Sequence, residues 1–201
     1  MTATRRTLTL LATVALVAAA GGSVRATVVM ALDFDEMAAQ ADRVVLGDVT
    51  SVTARWAERD GAKTIETTID IAVDDELGNV SAAPVARIVQ PGGTIGDVGL
   101  AVAGMPEFRA GERVLVFLRV TGSDEQGQAV HSVVGMAQGK FIVLPRLGGG
   151  FDAIQQLGPG FGVAAAGEDG VVRPVEGNAP IRMDLGEALA RVRAIRGEVT
   201  P

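Results

Sequence analysis

His131 is the first residue to consider for catalysis, because an imidazole can act as a general base or bind a metal. It is the only histidine among 201 residues, and the chain has no cysteine. A zinc site built from histidine and cysteine is therefore excluded. Ser132 follows directly in a segment with strand character, so the two side chains point to opposite faces and form no catalytic pair. We interpret His131 as a strand residue without a catalytic role.

Two glycine-rich segments are similar to nucleotide-binding motifs. Residues 135–140, GMAQGK, approach a phosphate-binding loop, but the two glycines are one residue too close together and Phe141 replaces the required serine or threonine. We interpret them as a glycine turn between strands. Residues 158–162, GPGFG, are followed by no helical pattern and do not match a dinucleotide fingerprint. Neither segment therefore predicts a cofactor.

Carboxylates are the remaining candidates for chemistry. Asp70, Asp74, Asp75 and Glu76 offer the oxygen ligands that calcium prefers, but they lack the order of an EF-hand loop. The pattern favours a solvated acidic turn and leaves a calcium site open. Two acids could also serve a hydrolase that uses carboxylates alone, although aromatic platforms for a sugar are few. The sequence thus identifies no catalytic residue, no metal site and no cofactor.

The N-terminal segment and the charge limit the compartment and the partners. Residues 1–26 combine Arg5 and Arg6, an apolar run and small residues before position 27, which is the pattern of a cleaved signal peptide. An uncleaved anchor is the alternative, but the run of about 13 apolar residues is short of the roughly 20 that span a bilayer. We expect an exported protein, secreted or periplasmic, without an integral membrane span after cleavage. The net charge of −6 disfavours nucleic acid as a partner.

Short apolar segments separated by turn residues predict a mainly β fold. The continuous apolar run at residues 114–118, VLVFL, suits a strand buried on both faces. Apolar and polar residues alternate over residues 64–73, as in a strand with one solvent-exposed face. Further strands are predicted at residues 44–56, 85–90, 129–136 and 140–144, with a small hairpin across residues 163–175. A capping-box pattern of Asp33 with Glu36 predicts a helix over residues 32–41, and the same pattern of Asp184 with Glu187 predicts another over residues 184–196. Strands without intervening helices indicate a barrel or a sandwich.

The glycine-rich loop at residues 92–105 is the candidate functional site. Val98, Leu100, Val102 and Met105 are expected to be exposed or half exposed, as at a partner-binding edge. The alternative is a loop that folds these side chains onto the barrel. We therefore expect a non-enzymatic binding module with an unknown protein partner. A carboxylate-dependent hydrolase and a structural subunit of an envelope assembly remain alternatives.

The order of the segments resembles a known group of proteins. A short helix, then ADRVVLGDV at residues 41–49, a threonine-rich strand, an acidic link and FRAGERVLVFL at residues 108–118 resemble uncharacterised exported bacterial proteins. The order is similar, more distantly, to the netrin-like domain of tissue inhibitors of metalloproteinases. The resemblance covers residues 33–144 and implies an OB-fold barrel with a protease-associated or inhibitor-like role. The animal inhibitors bind the protease zinc through an N-terminal cysteine, which this chain lacks.

The expected fold class is therefore mainly β, an OB-like antiparallel barrel with a short N-terminal helix and a C-terminal helix. Three parts are expected along the chain. Residues 1–26 are a signal peptide, residues 27–144 form the barrel domain, and residues 145–201 hold a Gly-rich hairpin and a helix that packs on the barrel.

Overall fold

A computed structural model of the protein describes residues 28–77, 83–158, 161–166, 172–174 and 179–197. The predicted signal peptide and parts of the predicted hairpin at residues 163–175 lie outside the described residues. None of the described helices has the length and apolar character needed to cross a membrane.

Thirteen strands and two α-helices are described. The strands are β1 (Val28–Met30), β2 (Arg43–Arg59), β3 (Ala62–Leu77), β4 (Val85–Pro91), β5 (Gly93–Ile95), β6 (Val98–Leu100), β7 (Arg113–Ser123), β8 (Ala129–Val133), β9 (Lys140–Pro145), β10 (Phe151–Gln155), β11 (Gly162–Ala166), β12 (Val172–Pro174) and β13 (Arg182–Asp184). The helices are α1 (Phe34–Gln40) and α2 (Leu185–Arg196), and Met136–Gly139 form a 3-10 helix. The predicted mainly β fold is confirmed.

Five strands pair in a closed circuit, which we call the ring. The order is β7–β2–β3–β4–β8, and β8 pairs again with β7. Every pairing in the ring is antiparallel except β4 with β8, which is parallel. The parallel pairing of β4 with β8 is the one departure of the ring from the predicted antiparallel arrangement. Outside the ring, β9, β10 and β13 extend the sheet from β7, while β5–β6 and β1–β11–β12 form separate small sheets.

The apolar run in β7 serves two hydrophobic cores. Val114, Val116 and Leu118 join a core to which all five ring strands contribute, so this core fills the ring. Leu115 and Phe117 point the other way, into a core between the sheet and the two helices. All five side chains are fully buried. Burial on both faces explains why the run is continuous rather than alternating.

Three aromatic rings hold the first helix against the sheet. Phe34 of α1 meets Phe117 edge to face, with ring centroids 5.3 Å apart, and Phe141 completes the cluster at 5.8 Å from Phe34. Asp33 caps α1 by accepting from the Glu36 backbone N–H, and the Glu36 side chain returns the bond to the Asp33 N–H. The predicted capping box is therefore present. For α2, Asp184 accepts from the Glu187 N–H, and Gly197 ends the helix at φ +72°.

Several predicted boundaries are wrong. The loop at residues 92–105 contains the short antiparallel strands β5 and β6. The acidic turn is part of β3, which runs on to Leu77. Strand β8 ends at Val133, and a 3-10 helix follows in place of a simple glycine turn. In each case a neighbouring element supplies the pairing or packing, which a local sequence pattern does not reveal.

Candidate functional site

A cavity of about 610 Å³ lies where the β5–β6 hairpin crosses the β2–β3 hairpin, and we call it the groove. Its lining includes the apolar side chains Val52, Ile69, Leu100, Val102, Met105 and Phe108. Polar and charged residues also line it, namely Thr67, Gln90, Thr94, Glu107 and Arg109. Three of the four predicted site residues, Leu100, Val102 and Met105, are therefore brought together. Val98 does not line the groove and lies on the outer part of β6, where it is 51% exposed. Sequence reasoning missed Val52, Ile69 and Phe108, because they come from three other segments.

Two consecutive glycines let the chain pass directly over β3 at the groove. Gly92 and Gly93 have φ of +101° and +130°, which side-chain-bearing residues rarely adopt. A Cβ on Gly93 would lie 2.3 Å from the hydroxyl oxygen of Thr67. That hydroxyl donates to the Gly92 carbonyl at 2.6 Å, and the Gly92 N–H donates to the Ile65 carbonyl at 2.8 Å. The close crossing thus fixes the start of the β5–β6 hairpin.

Gln90 fixes the opposite side of the groove. Its Nε2 donates to the Pro106 carbonyl at 2.9 Å, which ties β4 to the segment after β6. Among the described residues, its Oε1 is buried and has no hydrogen-bond partner. A buried acceptor without a donor costs about 1–3 kcal/mol. Oε1 of Gln90 is closed off from solvent and is therefore not a contact point for a ligand in the groove.

Lys140 supports the Phe108 wall from behind. Its Nζ donates to Glu112 Oε2 at 2.7 Å, to the Glu107 carbonyl, and to Gln156 Oε1 at 3.4 Å. The ammonium also lies 4.7 Å from the centre of the Phe108 ring. Burial lowers the pKa of Lys140, and the hydrogen bond and charge of Glu112 oppose that shift. In the sequence, Lys140 stands at the start of an apolar strand, and a lysine is unusual at such a position unless its charge is paired.

The predicted acidic cluster is dispersed among arginines. Asp74 pairs with Arg113 at 2.6 Å, Asp75 with Arg193 at 2.7 Å and Glu76 with Arg43 at 2.8 Å. These arginines belong to β7, α2 and β2. In the part of the chain that the structure describes, no three histidine, cysteine or acidic side chains converge as a metal site. The acids of this run connect β3 to three other elements. The predicted turn is wrong because these residues continue β3, although Asp74 stays solvated, with 48% of its side chain exposed.

His131 lies at the end of the ring near the Arg43–Glu76 pair. Its side chain is fully buried, and Nδ1 lies 2.8 Å from the Arg87 carbonyl. A carbonyl only accepts, so the proton resides on Nδ1. Within the described ranges, Nε2 has no hydrogen-bond partner. Burial lowers the pKa of His131, which keeps the imidazole neutral near pH 7.

Residues 135–140, which are similar to a phosphate-binding loop, hold the segment between β1 and α1 in place. Gln138, in its 3-10 helix, is almost fully buried. Its Oε1 accepts from the Leu32 N–H at 2.8 Å, and its Nε2 donates to the Met30 carbonyl at 3.0 Å. Gln138 therefore holds the chain between β1 and α1 and is not free to contact a phosphate.

Comparison with family models, with curated proteins and with solved structures finds no significant match to this chain.

Proposed function

We propose that this protein is a non-enzymatic binding module and that the groove receives an extended, apolar segment of a protein partner. The single observation that carries the proposal is the groove itself. It has about 610 Å³ of space and is lined by both apolar and polar side chains. Ligand sites in proteins usually combine a concavity, apolar side chains and polar groups that set orientation.

The edge of β6 supports an extended ligand. In the described residues β6 pairs with β5 alone, and all three of its residues are exposed. A strand with a free edge offers N–H and C=O groups to an incoming peptide. Alternate side chains of that peptide would then point toward the groove, since the side-chain period along a strand is two. Backbone bonds would supply affinity, and the groove would supply selectivity for apolar side chains.

The ring is proposed to be an OB-type barrel, and the protein is proposed to be exported. The strand order with one parallel pairing supports the first point, together with the resemblance over residues 33–144. The signal-peptide pattern supports the second. OB-type barrels commonly bind ligands through a strand face and neighbouring loops, and the groove combines these two features. The resemblance implies a protease-associated partner, although the cysteine that the animal inhibitors use is missing.

Three acids with displaced pKa values lend no support to a carboxylate-dependent hydrolase. A carboxylate hydrolase needs an acid with a raised pKa in a cleft. In the described residues the pKa is clearly displaced for Asp35, Asp124 and Asp184, and in each case it is lowered. The hydrogen bond from Arg191 is the main cause for Asp35, and the bond from the Glu187 N–H is the main cause for Asp184. None of these three acids lines the groove, and hydrogen-bond donors favour the charged form of each.

A capture experiment with two matched variants tests the proposal. The chain from residue 27 is immobilised at pH 7.5 and exposed to envelope and secreted fractions of the source cell, and bound proteins are identified by mass spectrometry. We expect one dominant partner, whose affinity falls at least tenfold with Leu100→Asp. Leu147→Asp places the same charge on an exposed leucine outside the groove and outside the β5–β6 hairpin, and it should bind as the wild type does. No partner, or equal loss with both variants, would refute the proposal.

A further inference from the structure

The ring closes through its shortest pairing, between β4 and β8, which we call the seam. Only two residue pairs form it, Arg87 with Val130 and Ile88 with His131. By comparison, β2 and β3 stay paired from Val44 to Arg59. A parallel pairing is also slightly weaker per residue than an antiparallel one. The seam is therefore where the ring has the least backbone hydrogen bonding.

Side chains reinforce the seam. The imidazole of His131 donates from Nδ1 to the Arg87 carbonyl at 2.8 Å. The Arg87 guanidinium reaches Asp124, in the turn before β8, at 2.7 Å. Gln128 donates from Nε2 to the Val85 carbonyl at 3.3 Å. Of these three links, the bond from His131 is the only one made by a fully buried side chain.

The described surroundings of His131 provide no hydrogen-bond acceptor for a second proton, which would bind at Nε2. Its side chain is fully buried, and Nε2 faces no acceptor among the described residues. Arg43 of β2 opposes a positive charge there, while Glu76 of β3 and Asp42, just before β2, favour one. Glu76 is already bound to Arg43 through two hydrogen bonds. On β4 the Arg87 guanidinium is bound to Asp70 and Asp124, and on β7 the uncharged Val120 pairs with His131.

We infer that the seam is an acid-sensitive latch on the groove, which opens when a proton from solvent binds Nε2 of His131. The new N–H and its charge would be buried without an acceptor, and separation of β8 from β4 exposes both to water. Gln90 and Pro91, at the end of β4, line the groove, so a loosened β4 alters the groove wall. The link to ligand binding rests on the proposed function, whereas the latch itself does not.

The sign of the pH dependence follows from the burial of His131. In the closed seam burial depresses the pKa below the ordinary value of 6.5. In the open seam the ring is hydrated and the pKa returns toward that value, so opening takes up a proton. Opening is therefore favoured as the pH falls below 6.5, by at most about tenfold per pH unit for one proton, and the seam is closed at neutral pH.

The wild-type chain allows a direct test, because its single histidine gives one imidazole signal in an NMR titration. We expect a titration midpoint below 6.5. Between pH 7.5 and pH 5, amide exchange over Val85–Pro91 and Ala129–Val133 should accelerate relative to the β2–β3 hairpin, after correction for the intrinsic rate. A midpoint at or above 6.5, or equal acceleration in the seam and in the hairpin, would overturn the latch.

His131→Asn provides the matched variant, since an asparagine amide can donate near the Nδ1 position but does not titrate. Its seam should show no extra exchange at pH 5, and a wild-type response would overturn the latch. If this variant does not fold, the NMR titration and the amide exchange of the wild-type chain test the latch without it. A chain that captures no partner at pH 7.5 refutes the proposed function alone. A chain that binds at pH 7.5 and shows a pH-independent seam refutes the latch alone.

Discussion

The ammonium of Lys140 lies 2.7 Å from Oε2 of Glu112, and the two side chains differ in their access to water. Lys140 is 1% exposed, whereas Glu112 is 17% exposed. Removal of either partner leaves the other without its counter-charge, but only Glu112 can turn toward solvent. The cost of breaking the pair should therefore depend on which residue is removed.

Glu112→Ala should destabilise the fold more than Lys140→Met. The first change leaves a buried ammonium without a carboxylate, which costs about 3 kcal/mol. Urea denaturation at pH 7 measures both variants. In the double variant the buried charge is absent, so its stability should be close to that of Lys140→Met alone. A larger loss for Lys140→Met than for Glu112→Ala would contradict this assignment.

Gly93→Ala should displace the β5–β6 hairpin, because the new Cβ would lie 2.3 Å from the Thr67 hydroxyl and 3.1 Å from the Cβ of Ala54. We expect a loss of about 1–3 kcal/mol from strain. Gly149→Ala is the closer control, since Gly149 has a φ of +105°, which side-chain-bearing residues also rarely adopt, but has open space around it. Chemical denaturation measures the free energy of unfolding of both variants. A larger loss for Gly93→Ala would come from the close contact with Thr67, whereas equal losses would show that this contact contributes nothing to stability.

Asp124→Asn should weaken the seam at neutral pH but not in strong acid. Burial disfavours the charged form of Asp124, but hydrogen bonds from the Gln128 N–H and from Arg87 prevail and lower its pKa. The carboxylate therefore stabilises the fold above pH 3.8, and this stabilisation disappears as the pH falls through the lowered pKa.

Urea denaturation from pH 7 to pH 3 should show the stability gap between the wild type and Asp124→Asn narrowing once the pH falls below 3.8. Asparagine can still accept from the N–H groups of Gln126 and Gln128, so the difference reports the pairing with Arg87. Glu125→Gln, at an exposed neighbouring position, makes the same charge change and should leave the curve nearly unaltered. A constant gap between Asp124→Asn and the wild type at every pH would refute this prediction.

Asp33→Ala should cost about 1 kcal/mol, because the N-cap of α1 loses its side-chain acceptor. The 2.8 Å hydrogen bond from the Glu36 N–H to the Asp33 side chain would be lost. Phe34 would then be held less firmly in the core between the sheet and the two helices. Glu36→Gln keeps an acceptor for the Asp33 N–H and should cost less. Thermal unfolding compares the two. An equal loss would mean that charge near the helix start, rather than the cap bond, provides the stability.

Local patterns predicted the elements whose causes are local. The run at residues 114–118 and the caps at Asp33 and Asp184 depend on neighbouring residues and appear as expected. The strands β5 and β6 were not predicted, because three-residue strands that contain glycine have little β propensity of their own. They form where the hairpin docks on β3, and the residues that make this docking possible, such as Thr67, lie far away in the chain.

The groove was only partly predictable for the same reason. Exposed apolar residues in a glycine-rich loop identified Leu100, Val102 and Met105, since composition alone marks such a loop. Phe108 and its support by Lys140 depend on the pairing of β7 with β9, which no spacing in the sequence reveals. The partners of the acidic run were equally hidden, because Arg43, Arg113 and Arg193 come from three separate segments.

The short parallel seam also has a consequence for the order of folding. His131 and Arg87 are 44 residues apart in the chain, so their meeting closes a long loop at a high entropic cost and returns few hydrogen bonds. The β2–β3 hairpin, by contrast, joins neighbouring residues across a tight turn and returns many. We therefore expect the hairpin to be structured early and the ring to close after the folding barrier, so that substitutions in the seam accelerate unfolding while leaving the refolding rate nearly unchanged.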